Sequence, residues 1–166
     1  MTLDIILDAD PEWDSSTDWD DLARRAAAAA VAESAFPQFA TGEAPTEISI
    51  RLGDDEEVRA LNAEWRDKDK PTNVLSFPMA DAAELAAPMT PPMLGDIILA
   101  RGVCEAEAAD KGIAVADHAA HLIAHGTLHL LGYDHHDDEE AADMEARETR
   151  ALARLGIADP YAGEAR

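Results

Sequence analysis

His125-Gly126-Thr127-Leu128-His129-Leu130-Leu131-Gly132-Tyr133-Asp134-His135 is the stretch on which the reading of this chain turns. It closes a helical run from Ala116 to about Leu131, so His125 and His129 stand four apart on one helix face and can present two imidazole nitrogens to a single ion. Gly132 can adopt a positive φ, end the helix and turn the chain back, so that Tyr133-Asp134-His135 returns toward the pair and His135 supplies a third ligand. Three neutral imidazoles with an open fourth position describe a catalytic zinc site, because structural sites close with four protein ligands and usually include cysteine. The open position is for water. His136 competes with His135 for the third place.

All six histidines lie between positions 118 and 136. His118 and His121 share the helix but read as surface or core residues, not ligands. The spacing H-x-x-x-H-x-x-G-x-x-H matches the metzincin protease pattern except at Gly126, where that pattern has its general-base glutamate. The ligand cage is kept while the peptidase base is lost.

Around this stretch, Leu3 to Leu7, Thr46 to Leu52, Val74 to Phe77 and Leu94 to Ala100 read as strands. Helices are expected over Asp20 to Ser34, with Leu22, Ala26, Ala30 and Val31 buried, and over Asp54 to Arg66, with Val58, Leu61 and Trp65 packed inward. Further helices are expected over Arg101 to Lys111 and, rich in acid, over Asp138 to Leu155. The stretch after Pro78, holding Pro88, Pro91 and Pro92, reads as a surface loop over the site. Strands and helices intermix, so the class is α+β or α/β, in a single domain over residues 1–155 with a frayed tail over 156–166.

A chain of 166 residues that is 47% hydrophobic can bury one core. No apolar run approaches the ~20 residues that cross a bilayer, and Met1-Thr2-Leu3-Asp4 lacks a basic leader, so a soluble, cytoplasmic protein with no membrane partner is expected. Cys104, the only cysteine, reads as packing. The formal charge of −22 disfavours non-specific attachment to polyphosphate, so any nucleic-acid role needs a local basic patch.

The histidine stretch resembles the signature of the YbeY family, bacterial metal-dependent endoribonucleases and rRNA maturation factors. The likeness extends to Leu61-Asn62-Ala63-Glu64-Trp65-Arg66-Asp67-Lys68-Asp69-Lys70-Pro71-Thr72-Asn73-Val74-Leu75-Ser76-Phe77-Pro78 and to Leu94-Gly95-Asp96-Ile97, covering about residues 46 to 155. It implies an α+β fold with a mixed sheet of about four strands surrounded by helices, one zinc ion on His125, His129 and His135, and cleavage of single-stranded RNA. It further implies work on the 3′ end of 16S rRNA and in ribosome quality control. Arg66 matches the family's functional arginine, and its guanidinium can clamp a scissile phosphate bidentately. The other use open to Arg66 is a surface ion pair with Asp67 or Asp69. Arg66, Lys68 and Lys70 form the chain's densest basic cluster, although Asp67 and Asp69 dilute it. Given the acidity, delivery to RNA on the small ribosomal subunit by a ribosomal protein or an assembly GTPase is expected.

The base that takes a proton from the attacking water stays open among a phosphate oxygen, bulk water, Asp134, Asp137 and Asp138. Asp134 has a competing use in holding a ligand's second ring nitrogen. Ser76 and Asp96 are weaker site candidates. Other readings of the same cage are a hydrolase of a different bond, such as a divergent peptidase, and a zinc-containing ribosome-assembly factor that does not cut.

Overall fold

The computed structural model describes residues 3–41, 45–87, 91 and 93–161. Four strands, β1 (Leu3–Ala9), β2 (Thr46–Gly53), β3 (Val74–Pro78) and β4 (Met93–Ala100), form a sheet in the order β1-β2-β4-β3. β1, β2 and β4 run parallel, and β3 lies antiparallel to β4 at the edge. The helices are α1 (Trp19–Ala32), α2 (Gln38–Thr41), α3 (Asp55–Arg66), α4 (Ala82–Ala86), α5 (Arg101–Lys111), α6 (Val115–Leu130) and α7 (Asp138–Arg154). The mixed four-stranded α+β architecture is the one anticipated.

Side chains alternate across the pleat, so one sheet face carries Ile48, Ile50, Leu52, Ile97 and Leu99 into the main core, under α1 and α6. The other face carries Leu75, Ile98 and Ala100 against Val58 of α3. α6 is the buried axis of the molecule: from His118 to Leu130 every residue is buried except His125 and His129, which are half-buried. The alanines of α1 (Ala23, Ala26, Ala27, Ala30) meet those of α6 (Ala119, Ala120, Ala124) in the same core, and small side chains let two helices pack closely.

On its sheet side α6 presents Gly126 to β4. A Cβ there would stand 3.1 Å from Ile97 Cγ2, and Ile97 is itself buried. Position 126 therefore faces the sheet and has no room for a carboxylate, which gives the missing peptidase base a packing explanation.

Three expectations change. Trp65 is 66% exposed instead of packed inward. The second sheet face is small, and with Val58 buried and Leu61 half-buried against it, Trp65 is left on the rim of a groove beside Leu61, Phe77 and Ile98. The stretch after Pro78 holds the short helix α4, begun by a capping box in which Asp81 and Glu84 satisfy each other's backbone N–H; residues 88–90 and 92 of the anticipated loop lie outside the described residues. Beyond α7, Ile157 packs on the core and Tyr161 bonds inward; residues 162–166 of the anticipated tail lie outside the described residues. No helix among the described residues is long and apolar enough to cross a membrane.

Gly126→Glu is expected to destabilise the fold by about 2 kcal/mol or more, through overpacking and a buried charge, as read by urea unfolding, and to confer no peptidase activity.

Candidate active site

The structure brings His125, His129 and His135 together. The His125 and His129 rings are 4.5 Å apart, His135 stands 6.0 and 5.4 Å from them, and one nitrogen of each falls within 4.8 Å of the others. His135 arrives by the turn expected at Gly132, which takes φ 94°, while the Tyr133 N–H closes back on the Leu128 carbonyl at 3.0 Å. Tyr133 anchors that turn: its hydroxyl accepts the Ala35 N–H at 2.9 Å, and the Arg147 guanidinium lies 4.7 Å from its ring centre. His136 is held aside by Asp134, 2.9 Å from His136 Nε2.

The protonation pattern follows from the partners. His129 Nδ1 lies 2.9 Å from the Tyr133 carbonyl oxygen, which can only accept, so Nδ1 carries the proton and Nε2 is bare. His125 Nδ1 bonds Glu148, a fully buried residue of α7. Burial alone raises the Glu148 pKa, but the bonds from His121 and His125 outweigh it and hold the carboxyl down to about 2. An ionised carboxylate also only accepts, so His125 carries a proton on Nδ1, and in the neutral ring its Nε2 is bare as well. These two bare nitrogens face each other at 3.0 Å. Burial, with His125 alongside, pushes His129 down to about 4, so that ring is neutral at neutral pH and does not itself supply a proton between the two nitrogens. A cation between them relieves the opposed lone pairs. The donor set fits a metal ion.

Glu148 was not legible as a site residue, and its role at His125 is the one considered above for Asp134. Asp134 instead accepts the His135 N–H at 2.8 Å and holds His136; the His135 N–H is the main cause of its lowered pKa. The missed signal lies in α7, where Met144, Glu148, Ala151 and Leu152 form one buried stripe with a carboxylate in the middle of it.

The three imidazoles line a cleft of about 780 Å³ that is also lined by Arg66, Lys68, Lys70, Asn73 and Ser76. Arg66 bonds neither Asp67 nor Asp69. Its Nη2 donates to the Ser76 carbonyl at 3.1 Å, its guanidinium lies 5.9 Å from the Phe77 ring centre, and Asp69 pairs with Arg59. Arg24, Arg25, Arg51, Arg59, Arg101, Arg147, Arg150 and Arg154 all sit in ion pairs. Arg66, Lys68 and Lys70 pair with no described carboxylate. Asn62 shapes their loop: its carbonyl accepts the N–H groups of Asp67 and Lys68, and its side chain donates to the Lys70 carbonyl at 2.8 Å.

Of the remaining candidates, Ser76 is buried on the cleft wall, whereas Asp96 is on the opposite sheet face beside Trp65 and Phe77. Asp137 caps α7 by accepting the Glu140 N–H, and Asp138 begins that helix. His118 is buried and bonded to Glu107 at 2.8 Å. Burial pushes the Cys104 thiol up to about 12, as suits a packing residue.

A family model described as Endoribonuclease YbeY matches residues 10–156. A protein named Endoribonuclease YbeY from Rhizorhabdus wittichii is 51% identical over 171 residues, covering 96% of this chain and 97% of that one. Another of that name, from Novosphingobium aromaticivorans, is 53% identical over 163 residues and covers 95% of each chain. In fold, the chain is similar to the solution structure of TM1509 from Thermotoga maritima, with a TM-score of 0.55, 20% identity and 99% of each chain covered.

Asn62→Ala removes the side-chain bond that holds the loop of Lys68 and Lys70. It is expected to lower stability by about 1 kcal/mol in urea unfolding, and limited proteolysis should then cut faster between residues 67 and 72.

Proposed function

The chain belongs to the YbeY endoribonuclease family, and from that premise we propose that it is a zinc-dependent endoribonuclease that cuts single-stranded RNA in the cytoplasm, at the 3′ end of precursor 16S rRNA and in ribosome quality control. One observation carries the reading: three cations without ion partners among the described residues, Arg66, Lys68 and Lys70, line the same cleft as the imidazole trio. In a chain of charge −22, that is where a phosphodiester backbone finds positive charge.

His125, His129 and His135 would hold the zinc. The 3.0 Å between the first two Nε2 atoms supports this, being close to the roughly 3.3 Å between two nitrogen ligands of tetrahedral zinc. When bound, the ion supplies Lewis-acid activation of water and of the phosphoryl oxygens. Arg66 is steadied by the Ser76 carbonyl and the Phe77 ring, and its remaining N–H groups can grip the non-bridging oxygens of the scissile phosphate as negative charge grows there. Lys68 and Lys70 neutralise neighbouring phosphates. Asp134 and Asp137 already accept backbone N–H groups, and position 126 has no carboxylate. A phosphate oxygen, bulk water or Asp138 is then better placed than Asp134 or Asp137 to take the proton of the attacking water.

Three phosphate contacts give a weak salt dependence, with a slope of about −2 for a single strand, and correspondingly modest affinity. Docking on the small ribosomal subunit, through a ribosomal protein or an assembly GTPase, supplies the rest.

The test compares Arg66→Ala, His129→Ala and His136→Ala by metal analysis and by cleavage of a fluorescent single-stranded RNA. Arg66→Ala should keep its zinc and cut about 100-fold more slowly. His129→Ala should lose both zinc and cleavage, and His136→Ala should keep both. Full-rate cutting by Arg66→Ala contradicts the proposal.

A further inference from the structure

Glu148 lies mid-helix in α7 with no exposed surface, and a carboxylate at that depth is costly unless its charge is answered. No lysine or arginine among the described residues pairs with it. Its Oε1 accepts the His125 Nδ1 proton, and its Oε2 accepts the hydroxyl of Tyr161, from the segment after α7. His121 completes the cluster, with Nε2 at 3.2 Å from the Tyr161 hydroxyl and 3.5 Å from Oε2. His121 Nδ1 is buried and meets no partner among the described residues. A neutral ring with its proton on Nε2 leaves only a bare acceptor at Nδ1, so His121 serves this cluster as a donor.

The cation that answers Glu148 is thus absent from its own surroundings but fits on the far side of one imidazole, where the bare Nε2 atoms of His125 and His129 converge. We propose that Glu148, held in place by Tyr161 and His121, is a positioning residue for the metal group. It keeps the His125 proton on Nδ1, aims Nε2 at the metal and makes that nitrogen a stronger donor. Tyr161 ties the C-terminal segment to the site through the same carboxylate. This inference rests on the reading that His125, His129 and His135 hold a metal.

The experiment titrates zinc into the metal-free full chain against a chromogenic chelator, for wild type, Glu148→Gln, Tyr161→Phe and His129→Ala. Ring ¹⁵N NMR follows the His125 tautomer, and thermal melting confirms folding. Glu148→Gln should weaken zinc binding 10- to 100-fold and turn the single Nδ1–H form of His125 into a mixture, which a purely structural role would leave unmoved. Tyr161→Phe should weaken binding about threefold or more. If Glu148→Gln fails to fold, Tyr161→Phe decides alone. Wild-type affinity and an unchanged His125 in the folded variants, while His129→Ala loses the site, overturn the positioning role and leave the metal reading intact. Two zinc ions per wild-type chain, with one lost in Glu148→Gln, also overturn it, because Glu148 is then a ligand. Wild type and His129→Ala binding alike defeats the metal reading itself, and this inference with it.

Discussion

Two bare imidazole nitrogens, those of His125 and His129, face each other at 3.0 Å, and much of the molecule serves to hold them there. Opposed lone pairs in a half-buried site are unfavourable without a cation between them, and each ring is fixed from behind by an acceptor that cannot release it, the Tyr133 carbonyl for one and Glu148 for the other. Those acceptors come from different parts of the fold. Tyr133 belongs to the turn that ends α6, and Glu148 to the buried stripe of α7. The helix itself is set by the sheet, since Gly126 lets α6 lie directly against Ile97. The packing that seats the helix also removes the position a peptidase needs for its base.

Charge is distributed with comparable economy. Surface ion pairs contribute little to stability one at a time, but here they neutralise the described arginines outside the cleft, including Arg59, which draws Asp69 away from the basic loop. What remains is a chain of strongly negative total charge with a cleft lined by three cations that pair with no described carboxylate. Such a charge distribution repels polyanions from most of the surface and concentrates positive potential in one place.

The fold was largely legible because its signals are local. Alternation marked β2, apolar runs marked β1 and β4, and the His-x-x-x-His pair with Gly132 marked the helix end and the turn that returns His135. Arg66, Lys68 and Lys70 were legible as a cluster for the same reason. What escaped the sequence depends on contacts between distant segments. Glu148 is separated by more than a helix from His125, and nothing along α7 shows that its buried carboxylate ends at an imidazole. Trp65 has the right spacing for the apolar stripe of α3, but it stands on the rim of the groove over Phe77 and Ile98 instead of filling it. Asp134 sits beside His135 in sequence and turns its side chain to His136.

The proposed chemistry depends above all on one metal ion held by three imidazoles. X-ray absorption at the zinc edge on the zinc-loaded protein tests this directly. It should show three histidine nitrogens at about 2.0–2.1 Å and one further light oxygen ligand, with no sulfur. A sulfur shell, from Cys104 or a methionine, or fewer than three imidazoles around the ion, would contradict it.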